Sequence, residues 1–270
     1  GVYSHRAGYD FLIQGMGGLM SVTGEQDQLP GGGPQKVGVA LTDILTGMYA
    51  TTAIQGALIE REKSGKGQHI DLALLDVQVA CLANQAMNYL VGHQVPQRLG
   101  NAHPNIVPYQ AFPTRDGHII LAVGNDQQFR RFCEVAGCQE WADDERYATN
   151  SARVANRLAL CDRIAEVLGG RDSSDWLQAL EAVSVPCGPI NRIDEVFENP
   201  QVKARNMRLE VPHPLTDALP LVANPIKYSR TPIPEPTAPP LLSQHSEQVL
   251  QQLLGYSEDE VARLREQGVI

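Results

Sequence analysis

Asp43 is the residue in this sequence best placed for covalent chemistry. It stands downstream of the run Gly31-Gly32-Gly33, and Ile44, Leu45, Met48, Ile54, Ala57 and Leu58 follow it at helical spacing. Two readings stand side by side. An Asp at a helix start ordinarily caps the helix by accepting backbone N–H bonds. The same position favours a negative charge, and a carboxylate beside flexible glycines can attack an acyl thioester to form a covalent intermediate. Residue type and spacing alone leave both open.

Other chemistry-bearing patterns carry less. Gly15-Met-Gly17-Gly18 begins like a dinucleotide fingerprint, but Met20 stands where the third glycine belongs, so a tight turn or close packing is expected. Gly65-Lys66-Gly67 is a basic helix exit, with Lys66 a solvated turn lysine, and no phosphate-cradling loop is present. Cys81, Cys133, Cys138, Cys161 and Cys187 are odd in number and contain no CxxC pair. Reduced thiols in a cytosol-like compartment are expected. Cys81 and Cys133 read as core thiols. The histidines show no HxH or HExxH spacing, so no metal site is expected.

The elements that must position Asp43 begin with a glycine-punctuated stretch over 1–35 in which the Gly31 to Gly33 run reads as a mobile loop. A helix over about Asp43 to Lys63 stops at Ser64-Gly65. A short strand over Ile70 to Leu74 and a second helix capped by Asp76 and running to about Leu90 follow. Residues 92–106 change to Gly, Pro, His and Asn, which marks a domain boundary. Tyr109 to Phe112 and His118 to Val123 read as a hairpin. Helices are expected over Gln127 to Ala136 with Asp126 as cap, Ser151 to Leu168 and Ser174 to Val183. Val185 to Cys187 reads as a strand, and a helix from Ile193 is interrupted at Asn199-Pro200. Residues 212–240 are proline-rich and read as an extended crossing. The tail is helical, with Ser257 and Glu260 at capping-box spacing.

Bulk composition narrows the function classes. Net charge is −9 with no basic run, which argues against nucleic acid as a partner. An anionic surface does not steer anionic substrates, so an acidic ligand must be captured locally. No apolar run reaches membrane-span length, so no membrane association is expected. Gly1-Val-Tyr-Ser-His-Arg6 resembles neither a signal peptide nor a natural start and reads as an entry into the middle of a fold.

Several motifs in combination resemble the family III CoA-transferases. They are Arg6-Ala-Gly-Tyr-Asp-Phe11, Gly17-Gly-Leu-Met20, Thr23-Gly24, Gly38-Val-Ala-Leu-Thr-Asp43 with Thr46-Gly47, and Glu62-Lys-Ser-Gly-Lys-Gly-Gln68 leading into Ile70-Asp71. The likeness continues through Gly100-Asn-Ala-His103, Val107-Pro-Tyr-Gln-Ala-Phe112, Gly124-Asn125, Gln127-Gln-Phe129, Cys187-Gly-Pro-Ile-Asn191, Pro239-Pro-Leu-Leu242 and Gln244-His245. It covers nearly the whole chain. Val79-Ala-Cys-Leu82 and Asn88-Tyr-Leu-Val-Gly92 are most like members that act on succinate and glutarate.

The resemblance implies an α/β fold with an open Rossmann-like large domain, a smaller α+β domain and an interlocked homodimer. On that pattern residues 1–95 and 211–270 belong to the large domain and 96–210 to the small one. It implies that Asp43 is the nucleophile, that Ala7, Gly8, Tyr9 and Asp10 lie beside CoA, and that Gly100, Asn101, Ala102 and His103 occupy the place of a loop shielding the intermediates. Coenzyme A is then a substrate, no cofactor is tightly bound, and the partners are an acyl-CoA and a small carboxylic acid. Cytoplasm, or the mitochondrial matrix in a eukaryote, is the implied compartment. The family's N-terminal nucleotide-binding portion has no counterpart in these residues, which makes its supply by another chain an alternative. A racemase-like isomerase is a rival reading. It pairs the same Asp with a His where Tyr9 stands here, and a phenol releases its proton only at about pH 10. A non-catalytic CoA-binding fragment is the other rival.

Overall fold

Helices dominate the first ninety residues of the computed structural model, which describes residues 1–270. Helix α1 spans Asp10–Met16, α2 Leu19–Val22, α3 Leu41–Ser64, α4 Leu74–Ala80 and α5 Ala83–Leu90. Gly18, at φ 85°, turns the chain between α1 and α2. The 24 residues of α3 end where Gly65 adopts φ 72° and its N–H bonds the Arg61 carbonyl, the left-handed stop that only glycine adopts without strain. Helices α1, α3 and α4 pack on one another.

The sequence expectations fail here in instructive places. No strand forms over Ile70 to Leu74. Residues 66–73 are irregular and mostly exposed, and α4 begins at Leu74 with Ala73 as its N-cap, not Asp76. A strand needs a neighbour to pair with, and the chain offers none there. The single helix expected to Leu90 is broken at Cys81 and Leu82. The glycine run is part of a loop closed on itself: Gln35 N donates to Thr23 O at 2.9 Å. A Cβ on Gly32 would lie 2.2 Å from Gln26 O.

A mixed α+β body follows. Strands β1 (Tyr109–Pro113), β2 (His118–Ala122) and β3 (Cys187–Pro189) form an antiparallel sheet in the order β1-β2-β3. Phe112 pairs with Ile119, and Leu121 with Cys187. Helices α6 (Asp126–Ala136), α7 (Asn150–Ala155), α8 (Arg157–Leu168) and α9 (Ser173–Ala182) belong to the same body. Phe112, Ile119, Leu121, Phe129, Leu160 and Trp176 are fully buried in one cluster drawn from residues 107–185. Each such side chain stabilises the fold by about 1.5–3 kcal/mol. Asn125, not Asp126, caps α6, accepting from Gln128 N at 2.9 Å. Asp126 instead pairs with buried Arg153 at 2.8 Å. The helix expected over Ser151 to Leu168 is split at Asn156, whose side chain donates to Ala152 O at 2.9 Å.

The chain divides into two compact units, Gly1–Ile190 and Asn191–Ile270. In the second, α10 (Ile193–Glu198) and α11 (Pro200–Ala204) are joined through Asn199, which caps α11. The crossing expected over 212–240 is partly a hairpin, β4 (Arg208–His213) paired antiparallel with β5 (Thr216–Val222). Pro220 pairs with Glu210 within the ribbon, whereas the register shifts between Val211 and His213, at Pro212; edge positions and bulges are where a strand tolerates proline. Helices α12 (Ser246–Leu254) and α13 (Glu258–Glu266) close the chain, with the Ser257–Glu260 capping box formed as expected.

Candidate active site

Asp43 is the third residue of α3 and does not cap it. Helix α3 begins two residues earlier than its apolar spacing indicated, with Ala40 at the cap position making no side-chain bond. The cap comes from a distant part of the chain. Asp10 Oδ1 accepts from Thr42 N at 2.9 Å. The bland reading of Asp43 as an N-cap is thereby corrected. Its carboxylate is exposed, makes no hydrogen bond or ion pair within the chain, and sits in the first turn, where the helix dipole favours negative charge.

Asp10 is the junction of a buried polar network. Its Oδ2 accepts from Gln14 Nε2 at 2.7 Å. Gln14 Oε1 accepts from Val37 N at 2.9 Å, and its amide group also reaches Val39 O at 3.5 Å. Thr42 Oγ1 donates to Gln78 Oε1 on α4 at 2.7 Å. Gln14 and Thr42 are 0% exposed and Gln78 1%. Gly17 makes room for the network: a Cβ there would fall 2.4 Å from Gln78 Cγ and 2.8 Å from Ile13 O. The glycine pair after Gly15 is thus a packing device, as its incomplete fingerprint suggested.

Ala7, Gly8 and Tyr9 precede α1 and are exposed, Tyr9 at 71%. Tyr9 is the N-cap residue of α1, its carbonyl accepting from Ile13 N at 3.0 Å. Gly8 faces α4, 3.8 Å from Leu74 Cδ1 to a built Cβ. This segment and the start of α3 are therefore brought together through Asp10.

The Gly100-to-His103 loop is anchored elsewhere. Gly100, at φ 58°, donates its N–H to Gly24 O at 3.1 Å, and a Cβ there would meet the Glu25 carboxylate at 2.7 Å. His103 N donates to Tyr109 O at 2.9 Å. The His103 ring lies 5.3 Å from that of Tyr109, and its Nδ1 accepts from Asn105 N at 3.1 Å. Burial, and secondarily the charge of Arg157, hold the His103 imidazole below its ordinary pKa. No hydrogen bond joins this loop to Asp43 or to residues 7–10. Asn101 is exposed, whereas Ala102 is half-buried.

Sequence reasoning missed Gln14, Thr42 and Gln78. The available signal was faint: single uncharged polar residues between apolar ones, Ile13 before Gln14 and Val77 and Val79 around Gln78. Of the cysteines, all free, Cys133 is buried and its thiol is raised by the Cys138 thiol and by burial. Cys161 is pushed up to about 11 by burial. Cys81 closes α4 half-buried.

These features coincide with a family match. The model of CoA-transferase family III matches residues 1–246, and the chain belongs to that family. A succinate–glutarate CoA-transferase of Agrobacterium fabrum is 52% identical over 253 residues, covering 94% of this chain and 62% of the relative. The succinyl-CoA:glutarate CoA-transferase of Homo sapiens is 41% identical over 270 residues, covering 100% of this chain and 61% of its own length. The chain thus spans about three fifths of the length of these curated relatives. A CAIB/BAIF family protein of Brucella suis, solved by crystallography, superposes with a TM-score of 0.77 at 48% identity, covering 94% of this chain and 65% of that one. A Mycobacterium tuberculosis protein shares the fold at a TM-score of 0.77 and 24% identity, over 92% of this chain and 65% of its own. The α/β family fold expected from the motifs is therefore the fold of this chain; within these residues both sheets are antiparallel. No helix is long and apolar enough to cross a membrane.

Proposed function

We propose that the full-length protein transfers CoA between an acyl-CoA and a free carboxylic acid, with Asp43 as nucleophile. The observation that carries this reading is the division of labour at the start of α3. Asp10 satisfies the Thr42 N–H, so the Asp43 carboxylate stays exposed and uncommitted inside the family's motif. The Asp43 carboxylate attacks the thioester carbonyl, and the C–S bond breaks to give a mixed anhydride and CoA thiolate. The thiolate attacks the Asp43 acyl carbon, releasing the first acid as carboxylate and leaving an aspartyl-CoA thioester. The incoming carboxylate attacks that thioester, again freeing thiolate. Thiolate attack on the new acyl group regenerates Asp43 and delivers the new acyl-CoA. Every atom is supplied by the two substrates and the carboxylate.

The names of the relatives favour dicarboxylates of the succinate and glutarate class as the acids. Exposure of Ala7, Gly8 and Tyr9 beside the Asp10 junction supports this segment as a CoA contact. The Gly100-Asn-Ala-His103 motif, within the residues the family model matches, supports this loop as the substrate cover. In the whole enzyme, residues 1–95 with 211–270 form a large domain and 96–210 a small one. The core drawn from 107–185 supports the latter as a body of its own. A homodimer is the assembly proposed, and five unpaired thiols favour a reducing compartment.

The test uses the full-length polypeptide with succinyl-CoA and glutarate. Asp43→Asn keeps the volume and is expected to lower transfer at least about a thousandfold, because an amide cannot form the anhydride. Hydroxylamine added with succinyl-CoA should convert Asp43, and no other carboxylate, to a hydroxamate found by peptide mass spectrometry. Near-normal transfer by Asp43→Asn would remove Asp43 from the mechanism. Exchange of the α-proton without CoA transfer would mark an isomerase instead.

A further inference from the structure

The buried polar residues beside Asp43 have no partner in solvent and no role in the chemical steps above, yet they converge on one short stretch of backbone. Gln14 holds the approach to α3 by accepting from Val37 N at 2.9 Å. Asp10 holds the first turn through Thr42 N at 2.9 Å. Thr42 ties that same turn to α4 through Gln78 Oε1 at 2.7 Å. The Asp10–Gln14 bond at 2.7 Å closes the set. Thr42 adjoins Asp43 in sequence, Asp10 and Gln78 bond to Thr42, and Gln14 bonds to Asp10; none of Gln14, Thr42 and Gln78 is more than 1% exposed.

Such an arrangement is costly unless it does something. Buried amides and hydroxyls must find partners, and an apolar set of the same shape would hold α1 on α3 equally well. What the polar set adds is direction. Helices α1 and α4 and the irregular approach through Val37 are tied by these bonds to the first turn of α3. The rest of α3 lacks such restraint: of its 24 residues only Thr42 is buried. The side chain that rides on the locked turn is Asp43. Nucleophilic attack needs the carboxylate oxygen within about 3–3.5 Å of the thioester carbonyl at a defined angle, and a shift of about 1 Å costs up to a hundredfold in rate.

We propose that Gln14, Thr42 and Gln78, joined through Asp10, are positioning residues that fix the rotation of the first turn of α3 and thereby aim the Asp43 carboxylate at the thioester. Gly17 belongs to the same device, because only a residue without Cβ lets Gln78 reach Thr42. The proposal rests on Asp43 being the nucleophile, as argued above.

Thr42→Val tests it in the full-length protein, because it removes the hydroxyl and keeps the volume. The expected result is a fall in kcat of about tenfold or more with KM for succinyl-CoA changed less than about twofold. Hydroxamate formation at Asp43 should slow in parallel. Amide hydrogen exchange over residues 39–46 should quicken, while the far end of α3 stays as it was. Thr42→Ser, which restores the hydroxyl, should return kcat to within about threefold of the parent. Thr51→Val is the control. Its hydroxyl bonds only its own helix at Gly47 O, so turnover should not move. Gln78→Leu should match Thr42→Val, and the double variant should be no worse than the weaker single. Unchanged kcat in Thr42→Val, or a fall that Thr42→Ser does not reverse, overturns the proposal while leaving Asp43 as nucleophile. Absence of any hydroxamate at Asp43 in the parent protein overturns the nucleophile, and the aiming role with it. The exchange data then report separately whether the turn is locked.

Discussion

His103 carries a charge argument that is independent of the nucleophile. Its imidazole is held below the ordinary 6.5 first by burial and then by Arg157. Between the folded and unfolded values the unfolded chain binds more protons, so stability rises with pH across that window. The contribution is fully present above about 6.5 and is lost as pH falls through the folded value. NMR titration of the ring should give a His103 midpoint below 6.5; a midpoint at or above that value contradicts the burial argument. Protonation would also remove the Nδ1 lone pair that accepts from Asn105 N, so the Gly100–His103 loop should loosen on acidification. Cys161 offers a second titration. With its thiol pushed up to about 11 by burial, alkylation of Cys161 at pH 8 should be much slower than that of an exposed thiol. Mass spectrometry of partly alkylated protein reads this directly.

At the level of elements, two buried devices join parts of the chain far apart in sequence. Arg153 on α7 is 0% exposed. It donates to Val107 O at 2.7 Å and Tyr147 O at 2.9 Å, and to Asp126 Oδ1 at 2.8 Å. It also lies over the Phe129 ring, 4.5 Å from its centroid. Arg153→Met should fill most of the space yet orphan two carbonyls, destabilising by about 2–4 kcal/mol. Asp126 is exposed enough to recover water, which places the effect below that of a fully buried pair. Urea unfolding measures it, and a change under about 1 kcal/mol would show that the arginine is dispensable. Gly17 is the other device. With a Cβ forced against Gln78 Cγ and Ile13 O, Gly17→Ala should cost about 1–3 kcal/mol. It should also reproduce the turnover defect of Thr42→Val. A Gly17→Ala protein with parental stability and turnover would mean that α1 and α4 can move apart freely.

Within residues 1–270, helix α3 leaves large apolar side chains exposed. Helix α3 presents Ile44, Met48, Tyr49, Ile54 and Ile59 to solvent, with Met48 at 64% and Ile59 at 62% exposed. Ile44, Met48 and Ile59 share one side of the helix, and a second copy of the chain is the occupant proposed for it with the homodimer. Light scattering of the full-length protein should give twice the monomer mass. Ile59→Glu with Met48→Glu should shift it toward the monomer, or toward aggregation, while α3 stays helical by circular dichroism. A stable monomer for the parent protein contradicts the assembly.

Much of the local structure was legible because it is set by neighbours in sequence. The β1–β2 hairpin follows from two alternating runs around Pro113 to Gly117. The stop at Gly65, the Asn199-Pro200 break and the Ser257–Glu260 box follow from the backbone demands of single residues. Asp43 itself was legible as a carboxylate at a helix start within a motif. What tertiary structure alone decided is what that carboxylate is left free to do. Periodicity cannot report that Asp10 reaches across to Thr42, nor that Gln14 and Gln78 are the buried polar residues that answer it. Nor can it report that residues 70–74 lack a partner strand whereas 208–213 find one in 216–222. Hydrogen bonds between distant segments depend on which groups folding brings within about 3 Å of each other, and a single sequence states only what each group could accept or donate.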